Sequence, residues 1–234
     1  PAEVAAQFYP QLDAALAGSN WRRALEIVAI VQSLDPTGVQ VRTRAHDTHL
    51  QIGRAMVTAG RAAEGLPHFE QALVLFPDDA ASLAWRDVTL AYLAGTKALA
   101  AGDWATAAET LAGAHDRMPT YPRLRAAVTD AYRKLGTAFA GAEDWTGAVT
   151  ALSEAQRRSP DDAQVVDLLA DAYRHRGIAL QEQGDLQNAR ADLEAALALR
   201  SDDAEARQHL DRVMYLLFPP KRIEVDISAQ RFYA

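Results

Sequence analysis

The chain has 234 residues, of which 49% are hydrophobic, 24% are charged and only 7% are aromatic. This length corresponds to one or two domains, and the apolar content can fill a core, so a mainly disordered chain is excluded. With 31 acidic and 24 basic side chains the net charge is −7, which argues against a nucleic-acid partner. There is no cysteine, which excludes disulfides, thiolate zinc sites and cysteine nucleophiles.

The composition favours helices, because alanine, leucine and arginine are abundant and runs of valine, isoleucine and threonine are missing. No apolar stretch approaches the ~20 residues of a membrane span, so we expect no span in this segment. The sequence begins with Pro1 and stops inside an alternating apolar run at Ala234. We therefore expect the segment to come from a longer protein.

Several markers recur along the chain with one common spacing, which is the main signal in the sequence. The helix-ending region is marked by Pro36, Pro77, Pro119, Pro160 and Ser201, and the successive differences are 41, 42, 41 and 41. A glycine series has the same phase at Gly53, Gly95, Gly136 and Gly177. Small residues follow at Ala24, Gly65, Ala107, Ala148 and Ala189. The shared register predicts five units.

Each unit is predicted to contain two helices joined by a tight turn. In the third unit a helical pattern runs from Asp79 to Ala100, Gly102 suits the left-handed position after a helix, and Asp103 can cap the next helix. The small residues allow the paired helices to approach to ~8 Å. One pair cannot bury its own faces, so we expect the pairs to stack into a solenoid.

The fourth unit resembles the tetratricopeptide repeat (TPR) at almost every characteristic position, namely Tyr132, Leu135, Gly136, Phe139, Trp145, Ala148, Leu152, Ala155 and Pro160. The fifth unit matches at Tyr173, Gly177, Gly184, Ala189, Leu193 and Ala196. The resemblance covers residues 5–201 and implies a right-handed superhelical solenoid. The usual period is ~34 residues, so about seven residues are additional here, and we expect them to lengthen the first helix of each pair by two turns.

We therefore predict an all-α solenoid of about five helix pairs over residues 1–218, with units at 1–36, 37–77, 78–119, 120–160 and 161–201 and an end helix at 202–218. Pro10 should kink the first helix of unit one or mark its start, because proline is unfavourable inside a helix. The end helix has Ala206, Leu210 and Val213 on one face and charges on the other. Such a helix covers the apolar end of a solenoid and presents a polar surface to water.

After Pro219 and Pro220 the hydrophobic period changes from 3.6 to 2, since Ile223, Val225 and Ile227 alternate with polar residues. This predicts a linker and a strand over 219–234. The segment resembles the first strand of the catalytic domain of bacterial L,D-transpeptidases, which remodel peptidoglycan cross-links. The resemblance implies an adjoining catalytic domain after Ala234 and a location in the bacterial cell envelope. That family uses a cysteine nucleophile, which this chain lacks, so no catalytic residue is assigned.

The histidines His46 and His49 are three residues apart, whereas a helical metalloprotease pair is four apart with a glutamate base. His49 falls at the packing position of Tyr132 and Tyr173 in later units, and we favour packing over metal binding. We predict no metal site and no cofactor.

Three acidic pairs, one of them Asp78-Asp79, could mimic a glycosidase site, but their recurrence at helix starts favours capping. The tryptophans Trp21, Trp104 and Trp145 follow the repeat and are predicted in the core, while Trp85 is out of phase. Phosphate loops, dinucleotide motifs and serine triads are missing, so we predict that the segment is not an enzyme.

The TPR resemblance implies a ligand groove lined by the first helix of each pair. Its candidate residues are Gln51, Arg54, Tyr92, Thr96, Arg133, Lys134, Thr137, Arg174, His175 and Gln181. Units four and five supply a basic stripe, which suits an acidic peptide or a C-terminal carboxylate. The alternative is an ordinary solvated face. The asparagines of the chaperone-binding carboxylate clamp are missing at the matching positions.

The leading hypothesis is a non-catalytic protein-interaction scaffold that holds a protein or peptide or positions an adjoining catalytic domain. The rival hypothesis is an accessory part of a cell-wall transpeptidase that contacts peptidoglycan itself. A solenoid that binds RNA one base per repeat is a distant third, because the net charge is negative.

Overall fold

The computed structural model describes residues 1–219, and within this range every regular element is a helix. The all-α prediction is confirmed. The elements are α1 Ala2–Ala6, α2 Tyr9–Ala17, α3 Trp21–Leu34, α4 Val39–Thr58, α5 Ala62–Leu75, α6 Ala80–Ala101, α7 Trp104–Arg117, α8 Leu124–Gly141, α9 Trp145–Arg158, α10 Ala163–Glu182, α11 Leu186–Leu199 and α12 Ala204–Leu217. The predicted strand at 221–234 lies outside the described residues.

The described residues divide into two compact units, 1–132 and the residues from Arg133 onward, and the boundary falls within α8. In the first unit α2 packs on α3, α4 on α5, and α6 on α7. In the second unit α10 packs on both α9 and α11, and α12 packs on α11. Adjacent antiparallel pairs are the arrangement expected of TPR repeats.

The extra residues of each repeat lie in the first helix, as predicted. The first helices α4, α6, α8 and α10 have 20, 22, 18 and 20 residues, whereas the second helices α5, α7, α9 and α11 all have 14. The added turns have their own buried positions at Val41, Ser82, Leu124 and Val165, which follow the repeat spacing. Burial of this row anchors the longer helices.

The polar residues between the helices cap them. Asn20, Asp103, Asp144 and Asp185 each accept a hydrogen bond from a backbone N–H three residues on. Where acidic pairs occur, the second member caps, as in Asp79, Asp162 and Asp203. The capping prediction is confirmed, and each cap contributes about 1 kcal/mol.

Two other predictions have different outcomes. Pro10 lies in the first turn of α2, which starts at Tyr9 and is separate from α1, as predicted. The tryptophans Trp21, Trp104 and Trp145, predicted in the core, are only partly buried. They are the first residues of α3, α7 and α9, so their rings lie at helix ends where solvent reaches one side.

The turn inside each pair passes through a left-handed residue. Gly60, Gly102 and Gly184 all have φ of 82°, while the equivalent Ser19 and Glu143 have φ of 53° and 58°. A side chain with a Cβ is strained there, whereas glycine is not.

We expect Glu143→Gly to raise the free energy of unfolding by about 1 kcal/mol, because it removes this strain at an exposed turn. The reverse change at the matching position, Gly184→Ala, should lower it by a similar amount, since open space surrounds Gly184 and only its φ opposes a side chain. Thermal unfolding followed by circular dichroism measures both. Equal stability of all three proteins would contradict the assignment of strain to this turn.

Candidate functional site

The predicted groove residues all lie on first helices. Gln51 and Arg54 are exposed on α4, and Thr137 is exposed on α8. The others are partly buried, with Tyr92 and Thr96 on α6, Arg133 and Lys134 on α8, and Arg174, His175 and Gln181 on α10.

Not every polar group of this set is available to a ligand. The hydroxyl of Thr96 donates to the Tyr92 carbonyl at 2.9 Å, and the hydroxyl of Thr137 donates to the Arg133 carbonyl at 2.9 Å. Gln181 Oε1 lies 2.8 Å from His209 Nδ1 on α12. These contacts hold the three side chains against the helices, so the polar groups left in the predicted set belong mainly to its charged and aromatic members.

In the first unit, Gln51 and Arg54 line a surface depression of about 400 Å³ together with Asp47 and Leu50. All four residues belong to α4, and Asp47, Leu50 and Arg54 have the i, i+3, i+7 spacing of one helix face. The Asp47 carboxylate is 2.9 Å from His46 Nδ1 and stays largely exposed. The depression therefore presents an acidic, an apolar and a basic group in a row.

An aromatic cluster adjoins this row. The Trp85 ring lies 5.7 Å from Phe69 and 5.6 Å from Tyr121, and the Tyr121 ring lies 5.5 Å from Tyr92. The Arg54 guanidinium lies over the Trp85 ring at 5.4 Å, a cation–π contact. The Tyr121 hydroxyl donates to Thr89 Oγ1 at 3.1 Å, and burial raises the pKa of Tyr121.

The role of Trp85 was missed by the repeat analysis. Trp85 lies inside the first helix α6, whereas Trp21, Trp104 and Trp145 begin second helices. Its ring partners Phe69 and Tyr121 belong to α5 and to the segment before α8, so only the packing of neighbouring repeats brings the rings together.

In the second unit, one member of the predicted basic stripe, Arg174, is paired with carboxylates. Its guanidinium lies 3.2 Å from Asp171, 3.4 Å from Asp203 and 3.1 Å from Glu205. The Arg200 guanidinium bridges the same Asp171 and Asp203 at 2.5 and 2.7 Å. Arg174 therefore lies in an ion-pair cluster, and its place in a ligand groove stays a prediction.

The Asp203 carboxyl is the centre of this ion-pair cluster. Burial pushes its pKa up, but the Ala206 N–H and the Arg200 guanidinium outweigh that effect and hold the pKa of Asp203 below its usual value. The carboxylate also caps α12, so one side chain joins the helix start to two arginines. Beside it, the His175 ring stacks on Trp145 at 4.4 Å and 14°.

The second unit also has a surface depression of about 310 Å³, which lies between α10 and α11. Its floor holds a bidentate pair in which Arg176 Nε and Nη2 donate to the Asp192 carboxylate at 2.6 and 2.8 Å. The hydrogen bond to Asp192 raises the pKa of Arg176, so the Arg176 guanidinium stays charged and is held by this carboxylate.

Three histidines gather between the helices of repeat two and the start of α6. His46 Nε2 lies 3.2 Å from Ser82 Oγ and 3.4 Å from Asp79. His49 Nδ1 faces His68 Nδ1 at 3.1 Å, so His49 packs against α5 as its repeat position indicated. Within residues 1–219 no group of three His, Cys, Asp or Glu side chains is placed to hold a metal.

A family model described as Tetratricopeptide repeat matches residues 92–163 and 133–179. Residues 92–179 of the chain therefore contain TPR repeats. No curated protein matches the sequence. In the described part of the chain no helix is long and apolar enough to cross a membrane.

Several solved structures of helical repeat proteins are similar to the chain. A TPR repeats protein from Bacteroides fragilis NCTC 9343 is 14% identical, with 91% of this chain and 98% of that one covered and a TM-score of 0.44. A tetratricopeptide repeat protein from Parabacteroides merdae ATCC 43184 is 11% identical over 91% and 99%, with a TM-score of 0.40. A thermophilic TPR protein of Thermus thermophilus is 25% identical over 74% and 83%, with a TM-score of 0.26.

Proposed function

We propose that the chain is a non-catalytic interaction scaffold that binds a protein or peptide partner along its first helices. The observation that carries this proposal is the face of α4, where a depression holds Asp47, Leu50 and Arg54 in a row beside partly buried aromatic rings. Such a mixture of charge and aromatic surface is typical of protein-binding sites. TPR repeats are also typical of scaffolds of this kind.

The basic groups of repeats four and five, Arg133, Lys134, Arg174 and His175, remain part of the proposed groove and favour an acidic peptide. We expect the double variant Arg133→Glu and Arg174→Glu to weaken binding of a fluorescein-labelled oligo-glutamate peptide by more than about tenfold, because like charges then face each other. Fluorescence anisotropy measures the affinity.

The control for charge alone is Arg190→Glu, since Arg190 is a cation of the second helix α11 that pairs only with Glu194 at 2.7 Å in the described residues. Because Arg174 pairs with Asp203, the double variant also needs a circular dichroism melt, and affinity is compared below its melting temperature. An unchanged affinity in a folded double variant would exclude this face as the acidic-ligand site.

We propose further that the scaffold belongs to a cell-envelope protein of the L,D-transpeptidase kind, on the basis of the resemblance of residues 221–234 alone. A reading frame that continues after Ala234 into a domain with a catalytic cysteine would support this link. A stop codon or an unrelated domain there would refute it. Direct contact with peptidoglycan, the rival role, predicts that the segment co-sediments with purified sacculi.

A further inference from the structure

The arginines of the described residues differ in whether a carboxylate compensates them. Arg174, Arg176 and Arg200 are each paired with one or more carboxylates. The Arg54 guanidinium, in contrast, has no carboxylate within 4.0 Å among residues 1–219, and it lies over the Trp85 ring. The Arg54 guanidinium is exposed, so its N–H groups can bind a carboxylate in bidentate fashion.

The surroundings hold Arg54 in one place. Trp85 is partly buried, and its ring is in contact with Phe69 at 5.7 Å and with Tyr121 at 5.6 Å. Phe69 is fully buried, so the indole rests on the core of the unit. A cation placed on a rigid ring loses less side-chain entropy when it binds a ligand than one on a free chain.

The other groups of the depression restrict the ligand. Asp47 lies seven residues before Arg54 on α4, a rise of about 10.5 Å, with the partly buried Leu50 between them. A polyproline II segment rises about 3.1 Å per residue with three residues per turn, so residues i and i+3 project on one side about 9.3 Å apart. That spacing is close to the rise along α4 between Asp47 and Arg54.

We infer that the α4 face of repeats two and three binds an internal, extended segment of a partner protein. Its acidic side chain lies on the Arg54 guanidinium, a basic side chain three residues away lies at Asp47, and an apolar side chain between them packs on Leu50 and the edge of Trp85. This inference rests on the proposed scaffold function. It assigns recognition to repeats two and three, where Arg54 is uncompensated, in addition to the stripe of repeats four and five.

The test uses two amidated, fluorescein-labelled peptides, Gly-Pro-Lys-Pro-Leu-Glu-Pro-Gly and the same peptide with Lys and Glu exchanged. Amidation removes the terminal carboxylate, so only the side chain can contact Arg54. We expect the wild-type chain to bind at least one of these two peptides. Arg54→Gln should weaken that binding about tenfold, because it removes the bidentate partner. Arg22→Gln, an exposed cation of α3 paired with Glu26, should leave it unchanged.

A charge exchange makes the assignment specific. Arg54→Glu should abolish binding of the better peptide, and replacing its Glu by Lys should restore binding to the variant within about threefold of wild type. Restoration supports the contact. Binding that survives Arg54→Gln unchanged, or a wild-type chain that binds neither peptide at 1 mM, overturns the inference.

The outcomes separate this site from the scaffold function. If the oligo-glutamate peptide binds through Arg133 and Arg174 while the new peptides do not bind, the proposed function stands and the Arg54 site is refuted. If a peptide with a free C-terminus binds more than about tenfold tighter than its amide, the partner group is a terminal carboxylate, which also overturns the assignment to an internal segment.

Discussion

Gly53→Ala is expected to destabilise the first unit strongly, because a methyl group at this position has no space. A Cβ built on Gly53 would lie 2.5 Å from Phe69 Cε1 and 2.8 Å from Cδ1. The Phe69 ring cannot move away easily, since it is fully buried and stacks on Trp85 at 5.7 Å. Overpacking of a rigid core costs about 3 kcal/mol, which lowers Tm by about 6 to 12 °C in a chain of this size.

The matched control is Gly113→Ala, because the same substitution in the interior of α7 meets no atom within 4 Å. There the gain in helix propensity should raise stability by about 1 kcal/mol. A second check combines Gly53→Ala with Phe69→Ala, in which the truncated ring leaves room for the methyl. The added cost of Gly53→Ala should then nearly vanish. A Tm of Gly53→Ala equal to wild type would show that α4 and α5 do not approach as closely as described.

The helix pairs and their caps were predictable from the sequence, since they depend on local chemistry that recurs. The capping role of Asp103 follows from its position after Gly102 and before an apolar pattern. The spacing of 41 or 42 residues likewise indicated that the first helices are longer than the second. The caps involve residues that are close in the chain, so they can be recognised within one repeat. The spacing can be recognised once several repeats are compared.

The candidate site was less predictable, because its chemistry depends on contacts between repeats. Arg174 was assigned to a basic stripe from the sequence, but Asp203 lies 29 residues later and reaches it only through the packing of α10 and α12. Trp85 likewise meets Phe69 and Tyr121 only through the packing of α6 against neighbouring segments. Charge compensation and ring packing are tertiary properties, and neither can be read from a single repeat.

We expect the first unit to lose stability between about pH 6.5 and pH 4, and the histidine pair between α4 and α5 is the cause. Burial, followed by the nearby His68 and His46, lowers the pKa of His49 from 6.5 to about 4. Burial also lowers the pKa of His68, whose Nδ1 is 3.1 Å from that of His49. The folded pair resists protonation because a second proton would place two like charges in contact.

The direction of the effect follows from proton linkage. Above about pH 6.5 the His49 imidazole is neutral in both the folded and the unfolded chain, so the free energy of unfolding is at its full value. As the pH falls towards 4 the unfolded chain binds protons that the folded chain does not, so the free energy of unfolding falls by about 2 kcal/mol for a partly exposed imidazole. The carboxylates Asp79 and Asp203 lose their contributions only at lower pH, since their pKa values are below normal.

His49→Tyr separates the histidine pair from every other titrating group, because Tyr132 and Tyr173 occupy the same repeat position and tyrosine stays neutral in this range. We expect the variant to melt near the wild-type temperature at pH 7.5 and above it at pH 4.5, with a flatter slope of stability against pH between. Urea titrations at half-unit pH steps measure that slope. Parallel slopes for wild type and variant would show that protonation of His49 does not oppose folding, and the contact between α4 and α5 would then not depend on its neutral form.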